Sequence, residues 1–187
     1  MATPSVKAAS SGYSSIKISW NKVSGANGYY VYVKSGTTWK RISTITKGNT
    51  LSYQHTKLVC GKTYTYTVVA YRKVGKSIVR SAYNKTGVKG KPALSIPKVV
   101  KATASKNSVA LKWNKVAGAS GYYIYYKTGN SNYKRIKTIA NGATISWNSK
   151  GLAKNKNYTY AIVAYRKEKG SIVRSGYKAF TIKTKAK

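Results

Sequence analysis

The chain has 187 residues, of which 36 are lysine or arginine and one, Glu168, is acidic, for a formal net charge of +35. An average composition would place ~20 carboxylates in this length, so the usual supply for acid–base pairs, Ca²⁺ sites and ion-pair networks is missing. The lone cysteine, Cys60, excludes an internal disulfide framework, and no apolar run approaches the ~20 residues of a membrane-crossing helix.

The cations run along the whole chain and are not gathered in a tail, which describes a uniformly basic surface. Such a surface repels itself and stays soluble, and it attracts phosphate, sulfate and carboxylate polymers with little sequence preference. The opening Met1-Ala2-Thr3-Pro4 has no hydrophobic signal core, so any export signal is expected to have been removed or never to have existed.

Taken in chain order, residues 1 to 13 hold a Val6-Lys7-Ala8 run suited to an edge strand. Ile16, Ile18 and Trp20 then alternate with Lys17 and Ser19, the period of a strand with one buried face. After a turn between Gly25 and Gly28, Tyr29, Val31 and Val33 share one face and Tyr30, Tyr32 and Lys34 the other. Short strands are expected at Trp39-Lys40-Arg41-Ile42 and Thr50-Leu51-Ser52-Tyr53. The stretch from Leu58 to Tyr71 puts Tyr64, Tyr66, Val68 and Ala70 on one side and Thr65, Thr67, Val69 and Tyr71 on the other. Cys60 lies beside Gly61 in what reads as a turn, where a single thiol without a catalytic partner pattern is incidental. A last strand runs from Ser77 to Tyr83 and onward to Val88. Seven short alternating strands, glycine-rich turns and no sustained 3.6-residue period predict an antiparallel sandwich without helix.

The plan then repeats. Trp20-Asn21-Lys22-Val23 returns as Trp113-Asn114-Lys115-Val116, and Gly28-Tyr29-Tyr30-Val31-Tyr32 as Gly121-Tyr122-Tyr123-Ile124-Tyr125. The second copy is longer by one residue, placed where Gly129-Asn130-Ser131-Asn132 replaces Gly36-Thr37-Thr38, a loop in which β domains absorb insertions. Its expected inward set is Val109, Leu111 and Trp113, then Tyr122, Ile124 and Tyr126, then Leu152, Tyr158, Tyr160, Ile162 and Ala164, with a closing strand from Ser171 to Tyr177. The expected domains are residues 1–89 and 99–187. Residues 90–98 between them carry Gly90, Pro92 and Pro97, a semi-rigid connection.

These repeated motifs resemble fibronectin type III domains of the kind found in bacterial secreted and cell-surface proteins. The likeness covers about 90 residues per copy and is carried by the Trp-x-x-Val pairs, the Gly-Tyr-x-Val/Ile-Tyr strands and the segments Leu58 to Tyr64 and Leu152 to Tyr158. It implies two tandem immunoglobulin-like, seven-stranded antiparallel β-sandwiches in an all-β chain, and an extracellular or cell-surface location. It also implies that Tyr64 and Tyr158 hold the corner position, where the hydroxyl bonds back to nearby backbone, and that Trp20 and Trp113 belong to the structural core. Members of the family often carry aspartate where this chain has Asn21, Asn27 and His55, and Asn114, Ser120 and Ser149 in the second copy. The Arg-Gly-Asp of some animal members has no counterpart, because the chain contains no aspartate.

Catalysis needs titrating groups within reach of one another. Here His55 and Cys60 stand in the first copy and Glu168 in the second, so no catalytic residues, metal ligands or cofactor site are assigned and the chain is not expected to be an enzyme. What remains is binding. Outward parity collects Tyr30, Tyr32 and Tyr71 with Lys34 and Arg72 nearby, and Tyr123, Tyr125 and Tyr165 with Arg166, as a candidate binding face. Aromatics interleaved with cations stack on sugar rings or bases while the cations neutralise acidic groups. Outward tyrosines on strands also pair across the sheet as a purely structural matter. The expected function is a non-enzymatic tandem binding or spacer module adhering to anionic polymers: cell-wall polymers, acidic glycans or nucleic acid. The alternatives are an engineered, supercharged scaffold of the same fold and a sequence-independent nucleic-acid-binding protein.

Overall fold

The computed structural model describes residues 1–186, and every regular element among them is a strand. The chain divides into two compact units, Met1–Ala93 and Leu94–Lys187.

In the first unit, β1 (Val6–Gly12), β2 (Ser15–Trp20) and β5 (Ser52–His55) form one antiparallel sheet in the order β1-β2-β5. The second sheet runs β4 (Thr38–Ile45), β3 (Gly28–Ser35), β6 (Tyr64–Val74), β7 (Ser77–Arg80), with β8 (Val88–Gly90) also on β6. The period-2 pattern explains the assembly. Ile16, Ile18 and Trp20 turn inward from β2, meet Tyr29 and Val31 of β3 and Tyr66, Val68 and Ala70 of β6, and all are buried. Each such aliphatic or aromatic side chain contributes about 1.5–3 kcal/mol on leaving water. Lys17, between two buried isoleucines, is exposed.

The second unit repeats the layers. The order β13 (Ser146–Lys150), β10 (Ser108–Trp113), β9 (Val99–Ala104) faces β12 (Lys134–Ile139), β11 (Gly121–Lys127), β14 (Asn157–Glu168), β15 (Ser171–Arg174), with β16 (Phe180–Lys183) on β14. Val109, Leu111, Trp113, Tyr122, Ile124, Tyr160, Ile162 and Ala164 are the corresponding buried set. The extra residue of the second copy falls between β11 and β12, where six residues replace the two that join β3 to β4.

Several strand boundaries differ from expectation. The strand expected at Thr50 starts at Ser52, because Thr50 spends its N–H on a turn to the Lys47 carbonyl. The single closing strand expected from Ser77 toward Val88 is two pieces, so each unit has eight strands occupying seven sandwich positions. Ser81 ends the first piece. Its N–H donates to the Ala70 carbonyl at 2.9 Å, and its Oγ accepts the Ala70 N–H at 3.0 Å. The side chain thus occupies the place of the next ladder carbonyl and releases the chain into a loop before β8.

The corner tyrosines pin the crossovers. Tyr64 accepts the Val59 N–H at 3.0 Å, and Tyr158 accepts the Ala153 N–H at 2.9 Å. Within residues 90–98, the carbonyl of Pro92 accepts from Gly61 and the N–H of Ala93 bonds to the Ser10 Oγ, while Lys98 accepts from Asn114 of the second unit.

Candidate binding face

In a two-layer sandwich the outer face of each sheet is ordinarily wet. Here β6 is buried on both sides: Tyr66, Val68 and Ala70 inward, and Thr67, Val69 and Tyr71 outward. What covers the outward side is a thin layer of aromatic rings and guanidinium groups. Tyr30 and Tyr71 stack at 4.6 Å between centroids, and Arg41 from β4 and Arg80 from β7 lie 4.9 and 5.7 Å over the Tyr30 ring. The second unit builds the same layer: Tyr123 and Tyr165 stack at 4.4 Å, with Arg135 and Arg174 at 4.9 and 5.7 Å over Tyr123.

This corrects the expected exposure of four tyrosines. Tyr30, Tyr71, Tyr123 and Tyr165 face outward but are only 3–5% exposed. Burial lifts the Tyr165 phenol above its ordinary value, with a further push from neighbouring Tyr123. Tyr32 and Tyr125 remain half-buried at the edge of each stack, and Lys34 is exposed above Trp39 at 5.8 Å.

Arg72 and Arg166 do not belong to this face. Being one residue past Tyr71 and Tyr165, they emerge on the opposite side of their strands. Arg72 lies over the turn at Gly25, and Arg166 donates to the Gly118 carbonyl at 2.9 Å and to Glu168 at 2.6 Å.

Beside each stack a half-open pocket remains. The first, about 290 Å³, has Tyr32, Trp39 and Tyr83 as walls, Thr67 and Val69 as floor and Arg80 at its edge. The second, about 250 Å³, has Tyr125, Tyr133 and Tyr177, then Ala161 and Val163, then Arg174. Trp39 meets Tyr83 edge to face at 6.4 Å, and Tyr133 meets Tyr177 at 5.6 Å. Lys127 stands 5.4 Å over the Tyr133 ring, as Lys34 does over Trp39. Sequence reading missed Trp39, Tyr83, Tyr133, Tyr177 and all four stacking arginines. The usable signal was the repeated Ser-Ile-Val-Arg-Ser-x-Tyr, residues 77–83 and 171–177.

The remaining reactive side chains are engaged separately. The His55 ring meets the Tyr66 hydroxyl at 3.0 Å, and burial lowers its pKa. The Cys60 sulfur is buried, 3.9 Å from the Pro92 carbonyl. Among the described residues no three His, Cys, Asp or Glu side chains converge as for a metal ion.

A two-domain fibronectin type III segment of chicken tenascin superposes with a TM-score of 0.57, covering 97% of this chain and 99% of that one at 17% identity. The fold is that of two tandem fibronectin type III domains. No family model matches the sequence. Two curated proteins are each 29% identical: a Kelch domain-containing protein of Saccharolobus solfataricus, over 88% of this chain, and the tRNA3(Ser)-specific nuclease WapA of Bacillus spizizenii, over 80%. The chain spans only 22% and 8% of their lengths. The likeness therefore concerns one segment of much larger proteins.

Proposed function

We propose that this tandem is a non-enzymatic binding and spacer module of an extracellular or cell-surface protein, and that it adheres electrostatically to anionic polymers such as cell-wall polymers, acidic glycans or nucleic acid. One observation carries the reading. Among the described residues no lysine or arginine is buried, only Lys127 and Arg166 are even half-buried, and the sole carboxylate is already occupied by Arg166. The charge therefore faces solvent unneutralised on both units, as counterion exchange with a polyanion requires.

The test is a salt titration of binding to duplex DNA, heparin and dextran in parallel. Both polyanions bind at low salt, and the duplex releases along a steep line in log salt, with a slope of about −0.9 per phosphate neutralised. Dextran does not bind. Undiminished binding of the duplex in salt, or no binding of either polyanion at low salt, overturns the reading.

A second reading has its own observation. Asn21 accepts the Ser5 N–H at 2.5 Å, Asn27 the Lys73 N–H at 2.7 Å, and Ser120 the Lys167 N–H at 3.0 Å. Neutral side chains thus fill acceptor positions that suit aspartate, the pattern of a scaffold whose negative charge was removed by design. Natural copies of this repeat with aspartate at 21, 27 and 120 decide for that origin; natural copies with the neutral residues decide against it.

A further inference from the structure

We propose that the outer face of each unit carries a subsite for one pyranose ring of an acidic glycan. The inference rests on the polyanion reading above and names which member of that class is held by more than charge.

Three observations point to a ring of this kind. The walls are crossed and not parallel: Trp39 and Tyr83 stand at 80°, Tyr133 and Tyr177 at 69°. A flat base is gripped by parallel faces, whereas a puckered ring with C–H groups on several sides fits a corner of two aromatic planes. The tyrosine stacks that offer parallel faces are capped by Arg41, Arg80, Arg135 and Arg174.

Size and charge agree. Pockets for drug-sized ligands run ~300–1,000 Å³, so about 290 and 250 Å³ hold a single ring. Arg80 or Arg174 at one edge and Lys34 or Lys127 over the aromatic wall are placed for an acidic substituent, with no carboxylate lining either pocket.

The floor supplies the third. Thr67 lines the floor of the first pocket, and its hydroxyl is buried beneath it without a hydrogen-bond partner. Ala161 takes its place in the second. The first pocket is therefore the tighter of the two.

The experiment compares polygalacturonate, poly-L-glutamate, duplex DNA and dextran at low salt and at roughly 0.5 M NaCl, where the Debye length is about 4 Å. Polygalacturonate is retained at high salt while the other three are not. Trp39→Ala with Tyr83→Ala lowers that retained affinity about tenfold and leaves low-salt binding of poly-L-glutamate and DNA unchanged; Tyr133→Ala with Tyr177→Ala does the same, less strongly. Trp39→Tyr, which copies the second unit, preserves retention, and melting curves verify that each variant is folded. Equal loss across all polymers, dextran held as well as polygalacturonate, or no retention at high salt overturns the subsite while leaving the polyanion reading intact. Absence of low-salt binding to every polyanion overturns both.

Discussion

Tyr71 packs directly against Gly28, its register partner on β3, with the phenolic oxygen 2.7 Å from where a Cβ at position 28 would stand. Tyr165 repeats this over Gly121 at the same 2.7 Å. A side chain at 28 would also overlap the Ile45 carbonyl oxygen, and backbone does not move aside as a flexible side chain does. Gly28→Ala is therefore expected to cost about 3 kcal/mol or more, read by urea denaturation. A loss under about 1 kcal/mol would mean that β3 and β4 part easily.

The corner hydroxyls are separable by unit. Tyr64→Phe strands the Val59 N–H and Tyr158→Phe the Ala153 N–H. Each should destabilise by about 1–3 kcal/mol. Amide hydrogen exchange should localise the loosening to the substituted unit. Equal loosening of both units would contradict the placement.

His55 makes stability depend on pH in the first unit alone, since Ser149 stands at the corresponding position. Burial lowers the folded-state pKa below the ordinary 6.5, and the ring Nδ1 shares a hydrogen bond with the Tyr66 hydroxyl at 3.0 Å. The unfolded chain therefore binds the proton more readily, so this contribution is full above about pH 6.5 and is lost as pH falls through the folded value. Denaturation at pH 8 and pH 4.5 should differ for the wild type and much less for His55→Gln. A wild type more stable at pH 4.5 would refute the assignment.

Lys101 and Lys112 are register partners on β9 and β10, both exposed on the outer side of the sheet. Like charges directly opposite destabilise a pair, so Lys112→Glu should raise stability by about 0.5–1 kcal/mol at low ionic strength, and the gain should shrink in salt. A gain insensitive to salt would point to packing.

The strand faces were legible because alternation needs only local sequence. Ile16, Ile18 and Trp20 could hardly pack otherwise, and Tyr30, Tyr32 and Tyr71 do face outward. Alternation does not say what lies over a face. The arginines that cap Tyr30 come from β4 and β7, and their approach depends on strand order and on the bulge between Val31 and Tyr32. Arg72 was within reach of the same rule, since neighbours on a strand cannot share a side. The pocket escaped because its lining comes from four separate strands and the loop holding Tyr83, residues that only the sheet order brings together.

The clasp of Arg166 on Glu168 engages the chain's only acidic side chain. Most proteins yield to acid because many native carboxylates must take up protons, and here that route has almost no substrate. With 36 lysine and arginine side chains against one carboxylate and one histidine, the sign of the charge does not hang on a balance of acid and base. The charge of the molecule stays positive whatever the state of its one carboxylate and one imidazole. Ions, not protons, are then what screens it.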